Sequence, residues 1–263
     1  MHPPYLEGAL KERFDAWLAE ACARFMPPLT VTEIRKGVQA LSYLYVEKRV
    51  TGKAAAQVMK GEGKRAALAT FFAPLHFLAL ARGMAEIERE GGLGTVTRLH
   101  DLGCGSGAAG AAVAACLPRP PRVIGTDIAP WVLAQARETY DAFVPDGRAQ
   151  RGTLPAALPK TVAGDLLVFG WSLNELEDDV LRSVKGRLVS AMRRGTGLLV
   201  AEPLSTRITP WWKSWLSDLA PLGVRELLVR EEIERPEWIA LLDQGSGLDH
   251  RVVGCRILWR PTG

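Results

Sequence analysis

Cysteine and histidine are scarce in this sequence. Each occurs only four times among 263 residues. The cysteines, Cys22, Cys104, Cys116 and Cys255, stand far apart and form no Cys-x-x-Cys pair. Structural zinc sites and the disulfide frameworks of small secreted domains both depend on closely spaced cysteines. We therefore expect a protein with reduced thiols and no metal site.

Long apolar runs are missing as well. No stretch approaches the roughly 20 apolar residues that a membrane-spanning helix needs. The opening residues, MHPPYLEGALKERF, lack the charged-then-apolar order of a signal peptide. Positive and negative charges are nearly balanced: the chain has 33 basic and 29 acidic residues, which give a net charge of +4. This balance permits an RNA or another phosphate-bearing partner without requiring one. We expect a cytoplasmic protein that does not enter a membrane.

Hydrophobic residues, in contrast, make up 48% of the chain, which is enough for a substantial core. In about the first ninety residues they recur at helical spacing, and the segment GGLG then ends the last helix. We expect an all-helical N-terminal cap over residues 1–92 and a second domain over residues 93–263. The spacing predicts four helices in the cap: 5–25, 33–50, 54–60 and 64–90, the last with a kink at Pro74.

In the second domain, short apolar strands alternate with helices. The strands are TRLHDLG, RVIGTD, DLLVFGW and GLLVAEP, and the helices cover about 107–117, 130–143, 178–193 and 209–219. Such alternation is typical of a parallel α/β sheet. Near the C-terminus, VRELLV and HRVVGCRILWR are strand-like with no good crossover helix between them. They predict an antiparallel pair that closes the sheet.

A glycine cluster, Asp-Leu-Gly-Cys-Gly-Ser-Gly at residues 101–107, ends the first strand. Glycine allows the backbone to turn tightly and to approach a ligand closely. The helix that follows directs its N-terminal amides to the same place. About 20 residues further on, Asp127 ends the next strand, where a carboxylate can accept both hydroxyls of a ribose. We expect a nucleoside cofactor at this bend, with Gly103 leaving room for it.

Two cofactors fit this outline. The segment from Gly105 to Gly110 matches the Gly-x-Gly-x-x-Gly pattern of dinucleotide sites, but a single match of this kind is weak support. The spacing of Asp101, Gly103, Gly105 and Gly107 matches S-adenosylmethionine sites at every position. A carboxylate repels a pyrophosphate and attracts an ammonium or sulfonium group, so Asp101 favours S-adenosylmethionine, with a direct or water-mediated contact. In a third interpretation the glycines only pack.

The residues around the bend supply the remaining cofactor contacts. Ile128 and Trp131 could sandwich the adenine ring, although Trp131 suits the core face of an amphipathic helix equally well. The cofactor-binding candidates are Asp101, Gly103, Gly105, Ser106, Gly107, Asp127, Ile128, Trp131 and Trp171.

The segment after the strand DLLVFG should face the transferred group, because ligands lie beyond the carboxyl ends of parallel strands. Asn174 and Glu175 are the catalytic candidates there, although an acid in a first helical turn also complements the helix dipole. Nearby we find no Asp/Asn-Pro-Pro-Tyr/Phe tetrad and no histidine that could deprotonate a hydroxyl. No general base is therefore predicted. The candidates for substrate contact are Ser172, Glu202 and Trp211.

With ALSYLYVEKR at residues 40–49, DLGCGSG at 101–107 and SLNEL at 172–176, the chain resembles class I S-adenosylmethionine-dependent methyltransferases. Among them it is similar to bacterial relatives of the mitochondrial small-ribosomal-subunit methyltransferase-like family. The resemblance implies a Rossmann-like sheet, mostly parallel with an antiparallel C-terminal strand pair, preceded by a helical cap. It also implies S-adenosylmethionine as cofactor and the RNA of the small ribosomal subunit as substrate or partner.

Basic residues in the cap could contact such an RNA, or could simply form a solvated helix face. They are Arg35, Lys36, Lys48, Arg49, Lys53, Lys60, Lys64 and Arg65. Two other functions remain open. One is a methyltransferase for a small molecule or a peptide, with the cap closed over a buried pocket. The other is a cofactor-binding ribosome-assembly factor without catalysis.

Overall fold

The computed structural model describes residues 4–44, 60–246 and 249–263. Apart from Lys60, the predicted helix at 54–60 lies outside these ranges. The α-helices are α1 Gly8–Phe25, α2 Val31–Ser42, α3 Glu62–Ala67, α4 Ala73–Arg89, α5 Ala108–Cys116, α6 Pro130–Phe143, α7 Asp178–Met192, α8 Trp212–Leu219 and α9 Glu237–Ser246. A π-helical turn, Leu68–Phe72, joins α3 to α4, and 3-10 turns cover Leu173–Glu175 and Ala220–Leu222.

The strands form one mixed sheet. They are β1 Arg98–Leu102, β2 Arg122–Asp127, β3 Gly147–Arg151, β4 Asp165–Gly170, β5 Gly197–Glu202, β6 Arg225–Glu232 and β7 Val252–Arg260. Their order is β3-β2-β1-β4-β5-β7-β6. The first five strands are parallel, and β7 runs antiparallel to both of its neighbours. This confirms the predicted class I methyltransferase fold. The expectation that no helix separates the last two strands is wrong, because α9 lies between them.

Two apolar cores cover the two faces of the sheet. In β4, Leu166 and Val168 belong to the core formed with α4, α5 and α6. Leu167 and Phe169 belong to the opposite core, formed with α7 and α8. A parallel strand that is covered on both faces is expected to be apolar throughout, which explains the uninterrupted runs in β4 and β5.

The helical cap shares the first of these cores. Phe14 and Trp17 of α1 pack against Phe77 of α4 and Phe143 of α6, with ring centroids 5.4 Å apart for Phe14–Phe77 and for Trp17–Phe143. The rings of Phe77 and Phe143 are 4.5 Å apart. The cap is thus joined to the sheet by continuous aromatic packing, and the domain boundary at residue 92 stays a prediction.

The continuous helix Glu62–Arg89 places the cap on the sheet. By length and mean hydropathy (1.3) it could cross a membrane, contrary to the expectation for this sequence, but 78% of its apolar window is buried inside the fold. The π-helical turn stands just before Pro74, where a kink is predicted, and proline lacks the N–H of a regular helical hydrogen bond. Since α4 leads back to the start of β1, its first turn lies at the carboxyl edge of the sheet.

Candidate active site

The glycine loop between β1 and α5 lies at the carboxyl edge, and each of its three glycines has a positive φ: 68° at Gly103, 49° at Gly105 and 80° at Gly107. A Cβ added at Gly103 would lie 2.6 Å from Cβ of Ser172, and one at Gly107 would lie 3.0 Å from Cα of Ala136. A Cβ at Gly105 would meet nothing within 4 Å. Packing against Ser172 therefore already requires a glycine at position 103, and the expected room for a ligand there stays a prediction. Gly105 is the loop glycine that faces open space.

The carboxylate of Asp127 is held against this loop by backbone amides. Its Oδ2 accepts a hydrogen bond from Gly105 N–H (3.0 Å), and its Oδ1 accepts bonds from Ile128 N–H (2.7 Å) and Ala129 N–H (3.1 Å). A carboxylate offers about four acceptor positions. Backbone amides take three of these positions and leave one free. The predicted contact of Asp127 with both hydroxyls of a ribose stays a prediction.

Asp101 lies beneath the loop. It is fully buried, and its Oδ2 accepts hydrogen bonds from Gly110 N–H (3.0 Å) and Tyr140 Oη–H (2.8 Å). Burial raises the pKa of Asp101 to about 7, against the opposing effect of these two bonds. Asp101 thus ties the loop to α5 and α6. The buried Oδ1 of Asp101 has no hydrogen-bond partner, and the predicted contact of Asp101 with a cofactor, direct or through water, stays a prediction.

The segment after β4 forms the next part of the site. Trp171 adopts a positive φ of 54°, and its indole stacks on the imidazole of His76 at the start of α4, with ring centroids 3.9 Å apart and an interplanar angle of 6°. The expectation that no histidine lies near this segment is therefore wrong. Sequence reasoning missed His76 because it belongs to the cap, and only the packing of α4 on the sheet brings it here.

Ser172 and Glu202 hold this segment from below. Ser172 Oγ–H donates to the carbonyl of Leu102 (2.9 Å), and Glu202 Oε1 accepts hydrogen bonds from Leu173 N–H (3.0 Å) and Asn174 N–H (3.1 Å). Ser172 is 8% exposed and Glu202 is fully buried. Both residues support the segment in this arrangement, and their predicted contact with a substrate remains a prediction.

Four carboxyl groups crowd the carboxyl ends of β1, β2 and β5 and the turn after β4. Burial, with a contribution from Asp127, raises the pKa of Glu175 to about 8. Burial raises the pKa of Glu202 well above its usual range, and Glu175 adds to the rise. Asp127 also contributes to the raised pKa of Asp101. Three buried oxygens here lack hydrogen-bond partners: Oδ1 of Asp101, Oδ1 of Asn174 and Oε2 of Glu202. This acidic cluster favours a positively charged ligand.

The model of the O-methyltransferase domain family matches residues 79–235, which is more than half of the chain. The protein belongs to the O-methyltransferase domain family. It is therefore a methyltransferase in fold and family. The narrower resemblance to relatives of the mitochondrial small-subunit family stays a prediction.

The chain is similar to several solved structures of methyltransferases. Mitomycin 7-O-methyltransferase MmcR is 14% identical, with 97% of this chain and 69% of that chain covered and a TM-score of 0.48. Precorrin-6y C5,15-methyltransferase from Geobacter metallireducens GS-15 is 14% identical, with 69% and 87% covered and a TM-score of 0.44. The ribosomal protein L11 methylase from Lactobacillus delbrueckii subsp. bulgaricus is 16% identical, with 72% and 78% covered and a TM-score of 0.41. No curated protein matches the chain.

In this methyltransferase, the cap also reaches the end of β2. Trp131, in the first turn of α6, is partly exposed, and the guanidinium of Arg65 lies 5.4 Å from its ring centroid. Trp131 therefore lies between sheet and cap, three residues after Ile128. Ser106, between the last two loop glycines, is buried. The contacts of Ile128, Trp131 and Ser106 with a cofactor stay predictions.

A cavity of about 380 Å³ opens beside Asn174. Its lining combines acidic and apolar residues: Asn174, Leu176, Glu177, Asp178, Leu181, Ile208, Pro210 and Trp211. The neighbouring Trp212 and Trp215 are 1% and 3% exposed and belong to the core. Trp211 is thus the tryptophan of this group that reaches a cavity.

The structure describes only part of the basic run of the cap, because Lys48, Arg49 and Lys53 lie outside the described residues. Arg35 donates a hydrogen bond to the carbonyl of Leu241 in α9 (2.8 Å), so it ties the cap to the C-terminal region. In the described ranges, no group of three or more His, Cys, Asp or Glu side chains could hold a metal ion. RNA binding by the basic run stays a prediction.

Proposed function

We propose that this protein transfers the methyl group of S-adenosylmethionine to a hydroxyl oxygen of a small molecule. The observation that carries the proposal is the cluster of four carboxyl groups beside Gly105. Family membership supports the hydroxyl as acceptor. The proposal follows the small-molecule alternative of the sequence analysis in preference to ribosomal RNA.

The residues at the carboxyl edge suit S-adenosylmethionine. Gly105 faces space that a ligand can occupy, and Asp127 retains an acceptor position for a ribose hydroxyl. The cofactor carries an ammonium and a sulfonium, and an acidic cluster favours such charges. When bound, S-adenosylmethionine supplies a methyl group activated by its positively charged sulfur.

The side chains after β4 are suited to positioning the acceptor. Glu175, whose pKa is raised to about 8, carries a proton at neutral pH and can donate a hydrogen bond. The side-chain oxygen of Asn174 is buried without a partner and can accept one. Methyl transfer from a sulfonium is a displacement for which orientation alone supplies much of the rate. We therefore assign Asn174 and Glu175 to orientation of the substrate.

The cavity beside Asn174 favours a small acceptor. Its volume of about 380 Å³ lies in the range of small-molecule sites. Glu177 and Asp178 at its wall would repel the phosphate backbone of an RNA. A compact, uncharged or cationic molecule with a hydroxyl group suits this lining better.

Methyl-transfer assays with radiolabelled S-adenosylmethionine test the proposal. The purified protein is incubated with RNA, protein and small-molecule fractions of a cell extract, and calorimetry measures the affinity for S-adenosylhomocysteine. We expect label in the small-molecule fraction only. Label in the RNA would support the ribosomal alternative, and binding without transfer to any fraction would support a non-catalytic role.

Gly105→Val serves as the site variant, because its side chain would occupy the open space. Gly8→Val is the matched control: Gly8 also has a left-handed φ, of 55°, and open space around its added Cβ, but it lies at the start of α1. Gly105→Val should abolish cofactor binding, whereas Gly8→Val should bind normally. Equal affinities in the two variants would contradict the assignment of the cofactor site.

A further inference from the structure

Strand β6 forms one edge of the sheet. It pairs with β7 on one side, and in the part of the chain that the structure describes no strand pairs with its other side. Its 8 residues contain no proline, and their register with β7 is continuous, without a bulge. Proline, bulges and very short length are devices that keep an edge strand from pairing with another chain. β6 has none of these devices and is therefore a regular strand that a partner can extend.

The register of β6 on β7 determines which of its backbone groups point away from the sheet. Just beyond the strand, Ile233 N–H donates to the carbonyl of Arg251 (3.2 Å), and these two residues continue the register of the strand pair. Alternate residues of an antiparallel strand direct both backbone groups to the same neighbour. The odd-numbered residues of β6 therefore bond to β7, whereas the N–H and C=O groups of Glu226, Leu228 and Arg230 point outward.

An exposed apolar side chain lies at the middle of this edge. Leu228 is 61% exposed, which makes it the most exposed large hydrophobic residue in the described ranges. Its neighbour Val229, on the opposite face of the strand, is buried at 5%. A partner strand at this edge would remove part of the Leu228 side chain from water, which is favourable.

The sequence of β6 is complementary in charge to its own reverse. In the segment RELLVRE, residues 225–231, an antiparallel copy centred on Leu228 brings opposite charges or two apolar side chains together in every pair. The pairs are Arg225–Glu231, Glu226–Arg230, Leu227–Val229 and Leu228–Leu228. Opposite charges across paired strands are stabilising, whereas like charges are destabilising. A two-fold axis repeats each contact in the other copy, so every charge of the segment meets one of opposite sign.

This arrangement also uses the outward backbone groups. It places even-numbered residues opposite even-numbered ones, so that Glu226, Leu228 and Arg230 of one copy face Arg230, Leu228 and Glu226 of the second copy. Residues in such hydrogen-bonded pairs exchange both of their backbone bonds. The charge pattern and the backbone register therefore select the same alignment.

On the odd-numbered face, the charges of β6 already pair within the chain. Arg225 Nη1 lies 3.4 Å from Glu90 Oε2, and Glu231 Oε2 lies 3.4 Å from Arg82 Nε. Placing Arg225 opposite Glu231 of the second copy joins the two ion pairs into a row of four alternating charges.

On the even-numbered face, Arg230 makes no ion pair with any residue that the structure describes. Glu226, its partner in the second copy, uses Oε1 to accept hydrogen bonds from Trp212 Nε1–H (2.7 Å) and Arg256 Nη2–H (3.0 Å). Because these bonds fix the Glu226 carboxylate and involve one of its oxygens, the other oxygen stays available to Arg230.

The opposite edge of the sheet lacks this property. The charged residues of β3, Arg148 and Arg151, are both basic, so an antiparallel copy of β3 would bring only like charges together. Self-complementarity is therefore specific to β6 among the two edges.

We propose that β6 pairs with β6 of a second copy of this chain, antiparallel and about a two-fold axis at Leu228. The two sheets then continue as one across both copies. In such strand addition, main-chain hydrogen bonds supply affinity and side chains supply specificity. Three strands separate β6 from β1, and the inference is independent of the proposed function.

Sedimentation velocity of the full chain over a micromolar dilution series measures the association. We expect a monomer–dimer equilibrium, with a dissociation constant about tenfold higher or more in Arg230→Glu, which places like charges opposite Glu226 of each copy. Arg182→Glu makes the same change at an exposed residue of α7 and should leave the constant unchanged. A wild-type protein that stays monomeric throughout, or a dimer that Arg230→Glu does not weaken, would overturn the inference.

Cysteine substitutions test the register. Leu228→Cys places two thiols opposite each other at the axis, within the separation that a disulfide bridges. In Arg230→Cys the two thiols are four positions apart along the paired strands, about 13 Å. Mild oxidation should therefore link Leu228→Cys into a covalent dimer on a non-reducing gel, whereas Arg230→Cys and the wild type, with its own four cysteines, stay unlinked. Equal linking of the two variants, or none in Leu228→Cys, would contradict the proposed pairing.

Discussion

The imidazole of His76 lies parallel to the indole of Trp171, with 3.9 Å between the ring centroids. One ring belongs to the first turn of α4 and the other to the residue after β4, so the stack joins the helical cap to the carboxyl edge of the sheet. Trp171 is also the one non-glycine residue with a positive φ in the part of the chain that the structure describes. The stack therefore accompanies an unusual backbone conformation at the centre of the site.

A double-mutant cycle measures this contact. Because stacked aromatic pairs stabilise a protein by about 0.5–1.5 kcal/mol beyond their buried area, we expect a coupling of that size between His76→Ala and Trp171→Ala in the free energy of unfolding. Urea denaturation of the four proteins supplies the data. His76→Phe should keep most of the coupling. Additive effects of the two substitutions would show that the rings do not stabilise each other.

Asp127→Ala should weaken the binding of S-adenosylhomocysteine at least tenfold, about 1.4 kcal/mol, because it removes both the free acceptor position and the anchor of Gly105 N–H. Titration calorimetry measures the loss. Asp146→Ala is the control, since Asp146 is an exposed acid with a 63% accessible side chain whose partner is Arg122. Equal affinities for the two variants would speak against a ribose contact.

The raised pKa of Glu175, about 8, predicts how stability depends on pH. The folded protein holds this proton more tightly than the unfolded chain, whose glutamates titrate near pH 4.3. The contribution of Glu175 is therefore fully present below about pH 4 and is lost as the pH rises through about 8. Denaturation of the wild type and Glu175→Gln from pH 5 to pH 9 should show a decline that is shallower in the variant. Parallel curves would argue against a buried, protonated Glu175.

Cofactor binding should release protons near pH 7.5. A cationic ligand beside Glu175 and Asp101 favours their ionised forms, and both carry substantial proton occupancy in the free protein at that pH, given pKa values of about 8 and 7. Calorimetry of S-adenosylmethionine binding in buffers of different ionisation enthalpy measures the number released. Glu175→Gln should release fewer protons. A binding enthalpy that is independent of the buffer would contradict this expectation.

Local patterns were sufficient to predict the fold and the cofactor edge. A strand, three spaced glycines and a helix follow one another within residues 98–116, and Asp127 ends the next strand. The order of these residues along the chain is therefore enough to predict the elements at this edge. The four predicted parallel strands and the antiparallel end pair are found in the structure, together with β3, a fifth parallel strand at the edge of the sheet. The helix α9 was missed because it is only 10 residues long and lies between two strand-like segments.

The roles of individual glycines and acids could not be predicted from the sequence in the same way. Gly103 and Gly105 look alike in the motif, but one packs on Ser172 and the other faces open space. Asp101 matches the pattern of a cofactor ligand, yet it is buried and bonded to Gly110 and Tyr140. Both distinctions depend on what lies across the loop from the residue, which spacing along the chain does not encode.

The order of strands and helices, and the chemistry suggested by the glycine loop, follow from the amino-acid sequence because they arise from hydrophobic periodicity and backbone preferences over short distances. The stacking of His76 on Trp171 does not, because it requires α4 to pack on the sheet. That long-range packing brings residues from the cap and from the middle of the chain to one edge, and no local motif encodes it.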